Sequence, residues 1–163
     1  MSENRDVVSV ERVINAPPDA IFALLADPSR HQDFDGSGTV RDAKDLPERL
    51  RLGSTFGMSM KMVVPYSMVN EVVEFEEDRR IAWQPRMRAL AWVSGGRVWR
   101  HDLEPVDGGT RVTETWDISK EKSRAFIRSG CKKARRDMEK TLARIDAIVT
   151  APPARADTGA SDA

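Results

Sequence analysis

At 163 residues the chain has the length of one domain, and a 40% hydrophobic fraction suffices for a core and argues against disorder. Its 26 basic and 26 acidic residues cancel, so no general attraction to nucleic acid or to an anionic membrane is expected. One cysteine, Cys131, excludes an internal disulfide and suits a reducing compartment, and with two histidines beside it no metal or other cofactor is expected. No apolar run approaches about 18 residues, and the opening MSENRDVV lacks the apolar centre of a signal peptide. The expectation is a cytoplasmic protein without stable membrane insertion, its oligomeric state open and a homodimer among the alternatives.

Residues 1–6 read as a frayed polar end. Val7 to Asn15, rich in Val and Ile, reads as a strand. Ala16-Pro17-Pro18-Asp19 breaks it and suits a helix start. Ile21, Phe22, Leu24 and Leu25 then fall at helical spacing up to Ala26. Asp27-Pro28-Ser29 stops that helix and opens a short second one through Phe34, with His31 read as a cap or loop residue. After the turn Gly36-Ser37-Gly38, Thr39–Ala43 and Gly53–Met62 read as strands. In the second, Phe56, Met58, Met60 and Met62 alternate with Thr55, Gly57, Ser59 and Lys61, the mark of a half-buried strand. Ser67–Phe75, Arg80–Gln84 and Met87–Val93 follow as strands or hairpin arms. Arg97–Glu104 and Thr110–Ile118 are joined by Pro105-Val106-Asp107-Gly108-Gly109, a strong hairpin signal.

From Arg124 to Val149, Ile127, Cys131, Ala134, Met138, Leu142, Ile145 and Val149 fall in steps of three and four, one helical face. Ser119 or Ser123 could cap this helix, which would run roughly 39 Å. Residues 151–163 read as a disordered tail, leaving 1–150 as one domain. Strand, two short helices, consecutive strands with short turns, then a long helix describe an α+β domain. An antiparallel sheet of about seven strands would fold around the C-terminal helix.

Several stretches in this order carry a resemblance: Asn15-Ala16-Pro17-Pro18-Asp19-Ala20-Ile21-Phe22, Asp27-Pro28-Ser29-Arg30-His31, Asp35-Gly36-Ser37-Gly38, Arg79-Arg80-Ile81-Ala82-Trp83, Trp99-Arg100-His101-Asp102-Leu103-Glu104-Pro105 and Gly109-Thr110-Arg111-Val112-Thr113. With them the chain resembles the START-like, or SRPBCC, superfamily, in its polyketide cyclase/dehydrase or lipid-transport-like branch. The resemblance implies the helix-grip fold over roughly residues 7–149. It also implies a cavity between sheet and long helix that takes an apolar small molecule such as a lipid, sterol or polyketide. It supplies no common catalytic motif.

A bent sheet around one helix leaves volume that the helix alone does not fill, and such concavities favour apolar walls with a few polar groups. Phe56, Met58, Met60 and Met62 from the alternating strand, and Trp83, Trp99 and Trp116, are candidates for its lining, with ordinary core packing as the competing reading. Ile127, Cys131 and Met138 would face it from the helix. In the last hairpin, setting Leu103 opposite Val112 sets His101 opposite Glu114 and Trp99 opposite Trp116. The apolar neighbours then turn His101 and Glu114 inward, as a structural pair satisfying each other, as ligand contacts, or as acid–base catalysts of an enolisation, aldol or dehydration step. A one-residue slip would reverse this. Asn70, Glu71 and Glu74 are further polar candidates of ambiguous phase. Cys131 reads as packing, and the basic run Arg128, Lys132, Lys133, Arg135, Arg136 as a solvated helix back, with binding of phosphate or of an acidic partner as the alternative.

Overall fold

A computed structural model describes residues 5–38, 40–44, 46–61, 65–86 and 95–152. Its strands are β1 (Val7–Ile14), β2 (Val40–Lys44), β3 (Thr55–Lys61), β4 (Pro65–Glu76), β5 (Arg80–Arg86), β6 (Val98–Val106) and β7 (Gly109–Asp117). They form one antiparallel sheet in the order β1-β7-β6-β5-β4-β3-β2, so β2 to β7 meander and β1 closes against the last strand. The expected α+β class is therefore met, with seven strands among the described residues. The expected strand at Met87–Val93, Met62 and the tail beyond Pro152 lie outside the described residues.

Between β1 and β2 lie α1 (Pro18–Ala26), a 3₁₀ turn (Pro28–Arg30) and α2 (His31–Phe34). Pro18 opens α1, where the missing N–H costs nothing. The carboxylate of Asp27 accepts from the Ser29 backbone N–H and hydroxyl, fixing the second turn. The β6–β7 connection is tighter than expected: Val106 pairs with Gly109, leaving Asp107-Gly108 as a two-residue turn with Gly108 at φ 88°.

The C-terminal helix is not one rod. α3 (Arg124–Ile127) and a 3₁₀ turn (Arg128–Gly130) precede α4 (Cys131–Val149), whose 19 residues span about 28 Å. Ser123 occupies the position before α3, but its side chain does not cap it. The break falls at Gly130, the weakest helix former in the stretch, which sits over Trp116: a Cβ there would lie 4.0 Å from that indole. Arg128 in the turn is held by Asp6 (2.6 Å).

α4 lies against one face of the sheet through Ala134, Met138, Leu142 and Ile145, all buried in a core shared with Val8, Val72, Ile81, Leu103, Val112 and Trp116. Arg12 of β1 pairs with Asp146 (2.7 Å) along the same contact. The segment after α2 fastens α4 at its middle. The Gly36 backbone N–H donates to Thr141 Oγ1 (3.0 Å), and a Cβ on Gly36 would sit 2.0 Å from the Asp137 carbonyl oxygen. Only glycine allows that approach.

Candidate functional site

The site is built on β6 and β7, whose alternating residues put three pairs on one face. Trp99 pairs with Trp116, His101 with Glu114 and Leu103 with Val112, the register expected from the alternation. That this face turns toward α4 follows from its burial: Leu103, Val112 and Trp116 belong to the core, and His101 is 1% exposed and Glu114 4%. The pairing carries the face outward across the sheet. Ile81 pairs with His101 and Trp83 with Trp99, Val72 with Trp83, and Phe56 with Asn70. The result is an aromatic floor that carries the buried polar side chains of His101, Glu114 and Asn70.

Two of these groups, His101 and Glu114, hold buried atoms without partners among the described residues. His101 Nδ1 and Nε2, Glu114 Oε2 and Trp116 Nε1 are buried and make no hydrogen bond among the described residues. The closest approach of the pair, His101 Nε2 to Glu114 Oε1, is 3.8 Å, beyond hydrogen-bond range. Buried polar groups are nearly always satisfied, and leaving one unpaired costs about 1–3 kcal/mol. Four such atoms lie on three neighbouring residues of this inner face.

The same burial sets their charge. Desolvation pushes His101 down to about 3, with the neighbouring His31 adding to the effect. Desolvation raises the Glu114 carboxyl well above its usual range, and the charges of Asp35 and Asp137 act in the same direction. Both groups therefore favour their neutral forms: an imidazole with a free lone pair beside a carboxyl that keeps its proton.

His31 belongs to this floor and is not the cap or loop residue expected. It is buried, with its ring centroid 5.0 Å from Trp83, 5.1 Å from Phe56 and 5.1 Å from Phe34, and Trp83 in turn lies 5.2 Å from His101. His31 Nε2 lies 2.9 Å from the Leu25 carbonyl oxygen. A carbonyl only accepts, so Nε2 carries the proton. Burial holds this ring neutral too, down to about 4. The sequence signal was its place three residues before Phe34 on a short helix, too brief for periodicity to orient.

Of the other expected lining residues, Phe56, Trp83 and Met138 are buried, while Trp99, Ile127 and Cys131 are half-buried against the core. Trp99 stacks on Trp116 with centroids 5.6 Å apart. The side chains of Met58 and Met60, and Met62 entirely, lie outside the described residues. Glu71 and Glu74 point to the opposite face, where they pair with Arg86 (2.9 Å) and Arg100 (2.5 Å). Among the described residues, no helix is long and apolar enough to cross a membrane.

Known proteins of the same kind share this architecture. A family profile described as "Polyketide cyclase / dehydrase and lipid transport" matches residues 5–150. Two Mycobacterium tuberculosis proteins, the uncharacterized proteins Rv0088 and MT0096, are 36% and 35% identical over 106 residues. That match covers 64% of this chain and 44% of each relative, so the chain spans less than half the length of the relatives it matches. Among solved structures, CV1439 from Chromobacterium violaceum superposes with a TM-score of 0.66 at 17% identity, covering 88% of this chain and 96% of that one. Ms6760 from Mycobacterium smegmatis does so with a TM-score of 0.66 at 17% identity over 92% and 94%. DynU16, a protein of the dynemicin biosynthetic locus, gives 0.64 at 16% identity over 93% of this chain and 50% of its own. At these identities the structures speak for the fold.

Proposed function

The chain belongs to the polyketide cyclase / dehydrase and lipid transport family, and we propose that this member binds a hydrophobic small molecule between its sheet and α4. The ligand is polyketide-, aromatic- or lipid-like, with a carbonyl or hydroxyl that reaches His101, Glu114 and Trp116. The observation that carries this reading is the group of four buried polar atoms on an aromatic floor that have no partner among the described residues. Trp83, Phe56 and the Trp99–Trp116 stack supply the apolar contact, and the indole N–H and the Glu114 hydroxyl supply donors.

Native mass spectrometry of freshly purified protein tests the proposal, together with thermal shifts against fatty acids and fused-ring aromatic ketones. A ligand that binds the folded chain raises its melting temperature. Finding no adduct and no shift anywhere in the panel would end the proposal.

A second reading, a cyclase or dehydratase, is favoured by the protonation states. A neutral imidazole beside a protonated carboxyl sets a base next to an acid; with its pKa near 3 the imidazole is a weak base, so proton abstraction requires the bound substrate to stabilise the imidazolium. His101 would take the proton from the carbon beside a ligand carbonyl while Glu114 donates to that carbonyl's oxygen. The product is an enol poised for ring closure or loss of water. In that case His101→Ala and Glu114→Gln depress turnover far more than binding.

A further inference from the structure

Charge is spread unevenly along this neutral chain. Eight of its 26 basic residues but only one of its 26 acidic ones fall between Ser119 and Arg136. The acidic one, Glu121, is turned inward, where its carboxylate accepts from the Gly95 N–H (2.9 Å) and lies 3.9 Å from Arg97. Lys120, Lys122, Arg124, Arg128, Lys132 and Arg136 are exposed. Arg128 is paired with Asp6 and Lys133 with Asp137, which reduces the local excess without cancelling it. In the middle of this stretch stands Phe126, 85% exposed, against 66% for Leu52 and 52% for Val13.

We propose that α3 and the first turns of α4 dock on an anionic lipid surface, with Phe126 inserted at headgroup depth and the surrounding cations on the phosphates. A lone aromatic among lysines and arginines on a short helix fits the membrane interface: the ring enters the apolar boundary while the cations stay with the headgroups. An acidic protein would supply charge but leave a single isolated ring little to bury against. Docking is peripheral, in keeping with the lack of a spanning helix among the described residues. The same segment packs over Trp116 through Gly130, so a docked bilayer would lie against the cover of the candidate ligand site. The surface argument itself does not depend on that ligand.

Flotation of the full chain with vesicles tests this, using phosphatidylcholine alone or with about a third phosphatidylglycerol. Binding is expected only to the anionic vesicles and should fall away as salt rises to roughly 0.5 M. Phe126→Ser should weaken it on the order of ten-fold, and Lys120→Glu with Lys132→Glu by roughly five-fold or more per site. Both variants alter exposed side chains, and an unchanged melting temperature confirms that they fold. Absence of binding to anionic vesicles at low salt overturns the proposal. So does binding that Phe126→Ser leaves intact, or equal, Phe126-independent retention on single-stranded DNA or an acidic protein. Thermal shifts with apolar ligands in Phe126→Ser report on the interior site separately.

Discussion

His101 Nε2 stands 3.8 Å from Glu114 Oε1, side by side on the inner face and too far apart to share a hydrogen bond. An ion pair of this burial would have to offset the desolvation of both members, which good geometry alone achieves. Across this gap no hydrogen bond adds to the attraction, so that condition is not met. Each group keeps its neutral form, and the pair presents a lone pair, a donor and further acceptor capacity toward the same inner face.

The first consequence concerns Glu114. Its folded-state pKa is raised above 4.5 by burial. Above that value the unfolded chain gives up a proton that the folded chain keeps, so rising pH costs stability until the buried carboxyl ionises as well. Glutamine matches the protonated carboxyl in shape and does not titrate. Glu114→Gln should therefore gain on the parent as pH rises through and above 4.5 toward neutrality. Melting temperatures measured across that range check it, and parallel curves would show a carboxylate that ionises normally.

His31 and His101 act with the opposite sign. Their folded pKa values, about 4 and about 3, lie below the ordinary 6.5. Below 6.5 the unfolded chain takes up protons that the folded chain refuses, so stability falls as pH drops from 6.5 toward 4 and then 3. Each histidine should remove about 2 kcal/mol by about pH 5. His31→Phe keeps the ring among Phe34, Phe56 and Trp83 but strands the Leu25 carbonyl, a loss of about 1 kcal/mol at neutral pH. The variant should lose less stability on acidification than the parent, and denaturant titrations at two pH values would reveal a slope that failed to flatten.

Gly36 and Gly38 separate close approach from backbone conformation. A Cβ at Gly36 would meet the Asp137 carbonyl oxygen at 2.0 Å and the Thr141 nitrogen at 2.7 Å, both backbone atoms of α4. Gly36→Ala must push the α2–β2 segment off that helix and should cost about 3 kcal/mol. Gly38 has φ 65° with nothing within 4 Å of its Cβ position, so Gly38→Ala meets only the left-handed backbone, about 1 kcal/mol. Equal losses of melting temperature for the two variants would contradict the docking of this segment on α4.

The hairpin that carries the site was legible because its alternation is unbroken: Trp99, His101 and Leu103 against Val112, Glu114 and Trp116 leave one register that buries the apolar residues together. β4 was not legible in the same way. A register shift between Val72 and Glu74 moves the inward set from Asn70 and Val72 to Phe75, so period-two counting from either end assigns Glu71 and Glu74 differently. The rod expected from Arg124 to Val149 keeps its apolar period across Gly130, and periodicity alone does not distinguish a 3₁₀ turn from a continued helix. His31 entered the floor through tertiary packing that four residues of helix do not encode.

The unpartnered atoms make a prediction about ligand choice. Binding a hydrocarbon would bury His101, Glu114 and Trp116 against apolar surface and leave their polar atoms unmet. A ligand of the same shape with a carbonyl or hydroxyl gives them a partner, and sites built around buried polar groups discriminate strongly against analogues that lack one. The oxygenated member of a matched pair, such as a fused-ring ketone against its parent hydrocarbon, should bind at least about ten-fold tighter. His101→Phe preserves a ring beside Trp83, 5.2 Å away in the parent, while deleting two of the polar atoms, and should shrink that preference more than it weakens hydrocarbon binding. Quenching of tryptophan fluorescence follows both affinities. Equal affinity for ketone and hydrocarbon in the parent protein would mean that these buried atoms play no part in recognition.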